Sequence, residues 1–178
     1  MRPSSFNSIW RVVVVLGVTV PSVATARTLE PGKPVAFGAL GPTVLNDSRL
    51  GGSDSFLLIG AGIEYPFSKR IGVVGDVAFG LSGSQQLKLR GGGRYHWTDL
   101  DLPVSPYAEA QLVAGRLFDV IGTDLSFFGV RAGAGADYFL TARFLAGLKL
   151  GYEIARTRGP DPTAFAQIEL LATVSMVF

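Results

Sequence analysis

The chain has 178 residues, of which 48% are hydrophobic and 17% are charged, and its formal net charge is +2. A membrane-spanning helix needs about 20 consecutive apolar residues, and the only stretch that approaches this length is 12–26. A bundle of membrane helices is therefore excluded, and the 11% aromatic content argues against a disordered chain.

The first 26 residues have the three parts of a secretory signal peptide. Arg2 and Arg11 provide the positive charge, an apolar run follows, and the sequence Ala-Thr-Ala at 24–26 provides the small residues of a cleavage site. We therefore predict a cleaved signal peptide at 1–26 and a single mature domain at 27–178.

Removal of this segment changes the charge balance. Arg2 and Arg11 are two of the 16 basic residues, so 14 remain against 14 acidic residues. A neutral mature chain has no polybasic face, and we therefore expect no nucleic-acid partner. The chain has no cysteine, which excludes disulfides and thiolate metal sites. The spacing of its other candidate ligands does not suggest a metal site either, so we expect no metal and no cofactor.

Apolar and polar residues alternate with a period of two through the mature chain, which predicts strands and not helices. The clearest case is 144–154, where Leu148 and Leu150 lie on one face and Lys149 on the other. The least regular strand is the first, since Pro42 cannot donate to a ladder. The predicted strands are, in chain order, 35–45, 56–67, 71–81, 85–97, 107–118, 128–138, 144–154 and 166–178.

The number and length of these strands predict a membrane barrel. Eight strands in 152 mature residues leave 19 residues for each strand and its connection. A tilted membrane strand needs about 9 to 11 residues, and bacterial single-chain barrels have an even number of strands. The predicted fold class is therefore all-β, an eight-stranded antiparallel up-and-down transmembrane β-barrel.

The predicted connections are of two kinds. Those at 68–70 and 140–143 are tight turns at the end where the chain terminates, whereas 46–54, 119–124 and 157–163 are longer and open at the opposite end. Short periplasmic turns and longer extracellular loops are typical of outer-membrane barrels. Because the number of strands is even, we expect both mature termini to lie in the periplasm.

The composition of the two strand faces indicates which one points outward. The polar face consists mainly of Gly, Ser, Thr and Gln with isolated charges, which suits a narrow interior better than a solvated surface. Aromatic residues concentrate at the strand ends, like the two interfacial girdles of an outer-membrane barrel. The predicted girdles are Tyr65, Phe67, Tyr95, Trp97, Tyr138, Phe144 and Phe178 at one end and Phe79, Phe118, Phe128 and Tyr152 at the other.

Three motifs carry a resemblance to a known family. They are a Gly-x-Gly with an acidic-aromatic pair (Gly133, Gly135, Asp137, Tyr138), a Pro-Tyr strand opening (Pro106, Tyr107) and a terminal alternating strand that ends in Phe178. Over 35–178 the chain resembles the small outer-membrane β-barrels related to the transmembrane domain of OmpA, without a C-terminal peptidoglycan-binding domain. The resemblance implies that the barrel-insertion machinery reads Phe178 as an insertion signal, with Met176 at a position where an aromatic residue is common.

The charges on the inward face nearly balance, with six acids and five bases. A charge that faces a narrow interior is costly unless it is paired, so we predict a ladder of salt bridges that plugs the lumen. The alternative is a narrow channel, opened when pairs exchange partners, or a port for hydrophobic solutes. The predicted ladder residues are Glu64, Asp76, Lys88, Arg90, Arg94, Glu109, Arg131, Asp137, Lys149, Glu153 and Glu169.

The predicted function is that of a non-enzymatic barrel in a Gram-negative outer membrane, with a structural or surface-interaction role and with outer-membrane lipid and lipopolysaccharide as partners. A secreted soluble ligand-binding barrel is a second alternative. A lipid A-modifying hydrolase built on His96, the single histidine, is least favoured, because such enzymes act at the opposite end of the barrel. Charges in the last outer loop, including Arg156, Arg158 and Asp161, are expected to be solvated, with contact to lipopolysaccharide phosphates as the alternative.

Overall fold

Eight strands account for most of the residues that the computed structural model describes, which are 29–47, 52–81, 85–98, 104–120, 123–159 and 162–178. The predicted signal peptide at 1–26 lies outside these residues. No helix in the described ranges is long and apolar enough to cross a membrane. The strands are β1 (Val35–Asp47), β2 (Gly52–Pro66), β3 (Ile71–Gly80), β4 (Gln86–His96), β5 (Val104–Val120), β6 (Thr123–Phe139), β7 (Phe144–Thr157) and β8 (Ala164–Val177).

The sheet closes on itself. Each strand pairs antiparallel with the next in sequence, and β8 pairs with β1 to complete the barrel. This closing seam runs from Val35 opposite Val177 to Asn46 opposite Ala166. Pro42 lies within β1, and the β1–β8 register has no pair at Gly41 or Pro42, as expected for a residue that cannot donate to the ladder. The prediction of an all-β, eight-stranded, up-and-down barrel is confirmed.

Several strands are longer than the sequence predicted. β5 and β6 have 17 residues each, so the predicted connection at 119–124 shrinks to 121–122, and the one at 46–54 shrinks to 48–51. The alternation of hydrophobicity fades near these ends, where polar residues such as Asn46 and Ser53 occur. Pairing continues there because the backbone hydrogen bonds of a ladder do not depend on apolar side chains.

Two tight turns of the same construction define one end of the barrel. Phe67 donates its N–H to the carbonyl of Ile71 (2.9 Å), and the hydroxyl of Ser68 accepts the N–H of Ile71 (3.0 Å). The turn at 140–143 repeats both bonds, with Thr141 in place of Ser68. β1 begins and β8 ends beside these turns. We call this end the turn end and the opposite end the loop end.

Burial alternates along the strands, so that one set of side chains fills the interior and the other forms the outer wall. Among the described residues, 29 large hydrophobic side chains are exposed, and Phe67, Leu148 and Val174 each exceed 60% exposure. The predicted girdle aromatics are all exposed or half-buried on this wall. Polar and charged side chains are buried instead. This arrangement is the reverse of that in a soluble protein.

Candidate functional site

The eleven residues of the predicted ladder all lie in the barrel interior, and none is more than 6% exposed. They belong to seven of the eight strands, since inward positions recur at every second residue. They are Glu64 on β2, Asp76 on β3, Lys88, Arg90 and Arg94 on β4, Glu109 on β5, Arg131 and Asp137 on β6, Lys149 and Glu153 on β7, and Glu169 on β8.

Glu169 forms ion pairs with three cations. Its Oε1 lies 3.0 Å from Nζ of Lys88, and its Oε2 lies 2.8 Å from Nη1 of Arg90 and 3.1 Å from Nε of Arg131. β8, which carries Glu169, does not pair with β4 or β6, which carry the cations. These ion pairs therefore cross the lumen, and the residues they join are 38 to 81 positions apart in sequence.

Glu109 is a second centre of the same kind. It forms ion pairs with Arg94 (Nη2 to Oε2, 2.7 Å), with Arg131, and with Lys149 (Nζ to Oε1, 3.3 Å). Because Arg131 contacts both Glu109 and Glu169, it joins the two centres.

Three further pairs complete the arrangement. Arg94 contacts Glu64 (2.6 Å), Arg90 contacts Asp76 (2.5 Å), and Lys88 contacts Glu153 (2.9 Å). Asp137 is also buried but forms no ion pair among the residues that the structure describes. Ten of the eleven predicted residues are thus connected, and we call them the charge network: Glu64, Asp76, Lys88, Arg90, Arg94, Glu109, Arg131, Lys149, Glu153 and Glu169.

Three buried glutamines, which the predicted set of site residues omits, join the charge network. Gln167 accepts a hydrogen bond from Lys88 and donates one to Gln86 (3.0 Å). Gln111 donates to Asp76 Oδ2 (3.1 Å) and accepts from Arg131 Nη1 (2.9 Å). Each glutamine lies an even number of residues from a charged residue on its own strand. The alternation by itself therefore places all three on the inward face.

His96 also belongs to this interior. Its Nε2 lies 2.7 Å from Oε1 of Glu64, and its ring lies 5.6 Å from that of Tyr107. Tyr107 lies under the guanidinium of Arg94, with 4.2 Å between the Arg94 Cζ and the ring centroid. His96 is 2% exposed, and no serine or threonine hydroxyl bonds to it among the described residues. This geometry places a buried histidine between a carboxylate and a tyrosine ring.

Glycines provide the space that the large interior side chains occupy. A Cβ atom on Gly151 would overlap the guanidinium of Arg131, with 2.6 Å to Cζ. A Cβ on Gly135 would lie 2.5 Å from Cζ and from the hydroxyl oxygen of Tyr107, which faces Gly135 across the β5–β6 ladder. Gly135 and Tyr107, which belong to two separate sequence motifs, are therefore cross-strand partners in one packing unit.

The part of the interior nearer the loop end is mainly apolar, which the sequence pattern did not predict, although the buried side chains of Gln86 and Thr157 also lie there. Phe127 and Phe165 meet edge to face, with ring centroids 5.2 Å apart. The hydrophobic cluster around these two rings also contains three small residues, Ala39, Ala78 and Ala155. We call the large members the apolar layer: Leu45, Phe56, Leu58, Val113, Leu117, Phe127, Phe165 and Leu171. The predicted inward face of small polar residues and isolated charges therefore describes part of the lumen only.

The turn end is covered by the segment that precedes β1. Leu29 is 5% exposed and packs with Val35 and Leu145. Gly32, whose φ of 80° suits glycine, donates its N–H to the carbonyl of Pro66 (2.8 Å) and so fixes the segment to β2. A shallow cavity of about 470 Å³ remains between this segment, the 140–143 turn and the end of β8.

The described residues contain no group of three or more His, Cys, Asp or Glu side chains that could hold a metal ion. The carboxylates of the interior are instead surrounded by arginine and lysine. The arrangement has the chemistry of a packed ionic core.

Comparison with known proteins gives similarity at the level of structure. No family model matches the chain, and no curated protein sequence matches it. The crystal structure of Neisserial surface protein A (NspA) has a TM-score of 0.64 at 20% identity, covering 83% of this chain and 97% of that one. For the N-terminal β-barrel domain of Pseudomonas aeruginosa OprF the TM-score is 0.59 at 16% identity, covering 84% and 100%.

The structure of Ail, the attachment invasion locus protein of Yersinia pestis, in complex with the heparin analogue sucrose octasulfate, is also similar. Its TM-score is 0.55 at 14% identity, with 84% of this chain and 100% of that one covered. At these identities the likeness concerns the fold. The resemblance to small outer-membrane barrels that the sequence motifs indicated is confirmed at that level.

Proposed function

Since the chain has the fold of the small eight-stranded outer-membrane barrels, we propose that it is an integral outer-membrane protein with a closed lumen and a structural or surface-interaction role. The observation that carries the proposal is the distribution of side chains, which is the reverse of that in a soluble protein. Among the described residues, 29 large hydrophobic side chains are exposed, whereas the charge network is buried. An outer wall of this kind is stable in hydrocarbon and would aggregate in water.

The proposal of a closed lumen rests on the contents of the interior. Glu169 holds cations from β4 and β6 across the lumen, and Glu109 holds cations from the neighbouring strands β4 and β6 and from β7. The apolar layer fills the part nearer the loop end, and Leu29 covers the turn end. An eight-stranded barrel has an interior just wide enough for side chains. No continuous water path is expected through these three obstacles in series.

The proposed orientation rests on the position of the termini and on the resemblance to small outer-membrane barrels. The turn end, where β1 begins and β8 ends, is proposed to face the periplasm, and the loop end is proposed to face outward. In this orientation Phe178 and Met176, at the end of β8, are available as an insertion signal to the barrel-insertion machinery. Deletion of Phe178 should then reduce the amount of heat-modifiable, membrane-inserted protein.

The role that we propose is non-enzymatic. His96 is buried and its Nε2 contacts Glu64, so a substrate in the outer leaflet cannot reach it. Hydrolysis of labelled lipid A that disappears in His96→Ala would contradict this assignment.

Two measurements test the proposal. After fractionation without detergent, the protein should be found with the outer membrane, and recovery from the soluble periplasm would contradict the membrane assignment. The purified barrel in planar bilayers should then give no steady single-channel openings. Steady openings from a correctly inserted protein would contradict the closed lumen and support the alternative of a narrow channel.

A further inference from the structure

The segment that covers the turn end has a shape of its own. It comprises 29–34, and we call it the strap. Lys33 donates its N–H to the carbonyl of Glu30 (3.2 Å), and Gly32 has a φ of 80°. Pro31 followed by a glycine with positive φ is the pattern of a type II turn. The ion pair between Glu30 and Lys33 (2.6 Å) lies within the same turn. These contacts hold the shape of the strap without a residue of the barrel.

Few described contacts attach the strap to the barrel. The side chain of Leu29 is buried against Val35 and Leu145, whereas 30–33 are exposed. Two backbone hydrogen bonds complete the attachment, from Gly32 to Pro66 (2.8 Å) and from Phe178 to Pro34 (3.1 Å). β1, by contrast, pairs with a strand on either side. A segment with one buried side chain and few hydrogen bonds belongs to the least stable part of a fold.

The interior is polar directly beneath this attachment. Leu145, which packs against Leu29, pairs with Ser175 across the β7–β8 ladder. Ser175 is 7% exposed and points inward. The buried polar side chains at this level come from β5, β6 and β8, and we call them the turn-end cluster: Ser105, Asp137, Thr173 and Ser175.

Asp137 and Thr173 are the members of this cluster with the fewest partners. Both lie beside Gly147, which pairs with Asp137 across the β6–β7 ladder and with Thr173 across the β7–β8 ladder. Asp137 forms no ion pair with another described residue, and the hydroxyl of Thr173 has no hydrogen-bond partner among them. Burial of such groups costs free energy that contact with water removes. Hydration of the turn-end cluster therefore offsets part of the cost of exposing Leu29.

The strap also has space on one side. The cavity of about 470 Å³ lies between it, the 140–143 turn and the end of β8, so the strap can move aside without displacing a strand. We propose that the strap is a lid. It turns about its junction with β1, at Pro34 and Val35, and admits periplasmic water and small solutes to the turn-end cluster, while the charge network stays closed. This inference rests on the proposed orientation and closed lumen of the barrel.

The absence of cysteine from the chain makes the lid testable, because one introduced cysteine reports accessibility at one place. The probe is Ser175→Cys, and the control probe is Thr157→Cys, which is also inward and buried but lies at the loop end. Each probe is introduced into the mature barrel, which is refolded in detergent micelles. Its reaction with a small, charged thiol reagent is followed by mass spectrometry. Three strap variants are compared with the unchanged strap: Leu29→Ser, Leu29→Ala and, as the matched control, Glu30→Gln.

The Ser175→Cys probe should react slowly with the unchanged strap and at least about tenfold faster with Leu29→Ser, because burial of this leucine favours the closed lid. Leu29→Ala should give an intermediate rate. Glu30→Gln should leave the rate unchanged, since the side chain of Glu30 is 67% exposed. The Thr157→Cys probe should react at the same rate with every strap. Heat-modifiable gel mobility verifies that each variant is folded.

Two results would overturn the lid. One is an equal rate for the Ser175→Cys probe with Leu29 and with Leu29→Ser in folded protein. The other is no reaction of this probe below the urea concentration that unfolds the barrel. If either is obtained while the protein is found in the outer membrane and shows no channel openings, the proposed function stands and the lid alone is wrong. Steady openings of the unchanged protein would contradict the closed lumen itself, whatever the rates of labelling.

Discussion

The charge network and the apolar layer fill the same narrow barrel, and both are buried, but different forces hold them. Each member of the charge network is stable inside because particular partners neutralise it, as Glu169 is neutralised by Lys88, Arg90 and Arg131. A member of the apolar layer such as Leu58 needs only neighbours of suitable shape. The comparison indicates that side-chain volume limits which substitutions the apolar layer tolerates, whereas charge limits which substitutions the charge network tolerates. Substitutions that keep volume constant should separate the two.

The largest effect is expected for Glu169→Gln, which keeps the shape of the side chain and removes its charge. Three buried cations then lose their shared counter-ion, and breaking a buried ion pair costs about 3–5 kcal/mol. Urea unfolding in phospholipid vesicles, followed by tryptophan fluorescence, should show this decrease in the free energy of unfolding. Glu30→Gln is the control, because the Glu30–Lys33 pair (2.6 Å) is mostly exposed. Equal costs for the two variants would contradict the central place of Glu169.

A smaller effect is expected for Gly151→Ala, which adds volume beside the charge network without changing charge. The new methyl group would overlap the guanidinium of Arg131, and overpacking of this kind costs about 1–3 kcal/mol. The same unfolding measurement applies. Gly38→Ala is the matched control, since a Cβ atom at Gly38 meets nothing within 4 Å. If both variants were equally stable, Arg131 would have room to move and the network would be looser than its geometry indicates.

The apolar layer should tolerate an exchange at constant volume. Leu58 is 1% exposed, yet Leu58→Met is expected to cost less than about 1.5 kcal/mol because methionine fills the same space without a polar group. Comparison with Glu169→Gln under identical conditions gives the sharpest contrast between the layers. A cost for Leu58→Met as large as that for Glu169→Gln would mean that shape, and not charge, limits both layers.

The smallest effect is expected on the outer wall, where an ion pair is exposed. The side chains of Arg116 and Asp124 are 57% and 40% exposed, and pairs of this kind contribute at most about 1 kcal/mol. Asp124→Asn should therefore leave the free energy of unfolding almost unchanged. An effect comparable to that of Glu169→Gln would show that this part of the wall is less exposed than the structure indicates.

Much of the fold followed from alternation in the sequence. Along 144–154 the prediction that Lys149 points inward and that Leu148 and Leu150 point outward is confirmed. With a period of two, the direction of one side chain fixes the direction of every other side chain in the strand. The strand ends were less accurate, since polar residues there continue the ladder. The inward position of Phe127 and Phe165 differs from the prediction, which places aromatic residues at the lipid boundary. These two residues occupy inward positions of β6 and β8.

The sequence by itself determined the number of strands, the inward position of the charged residues and their near balance of sign, because each of these depends on residue type and a local period. Only the tertiary structure decided the pairing within the interior. Glu169 contacts Lys88, 81 positions away in sequence, because closure and stagger of the barrel bring β8 and β4 to face each other across the lumen. Arg116 and Arg158 are brought close to each other in the same way, because the register between neighbouring strands is not specified by the sequence of any single strand.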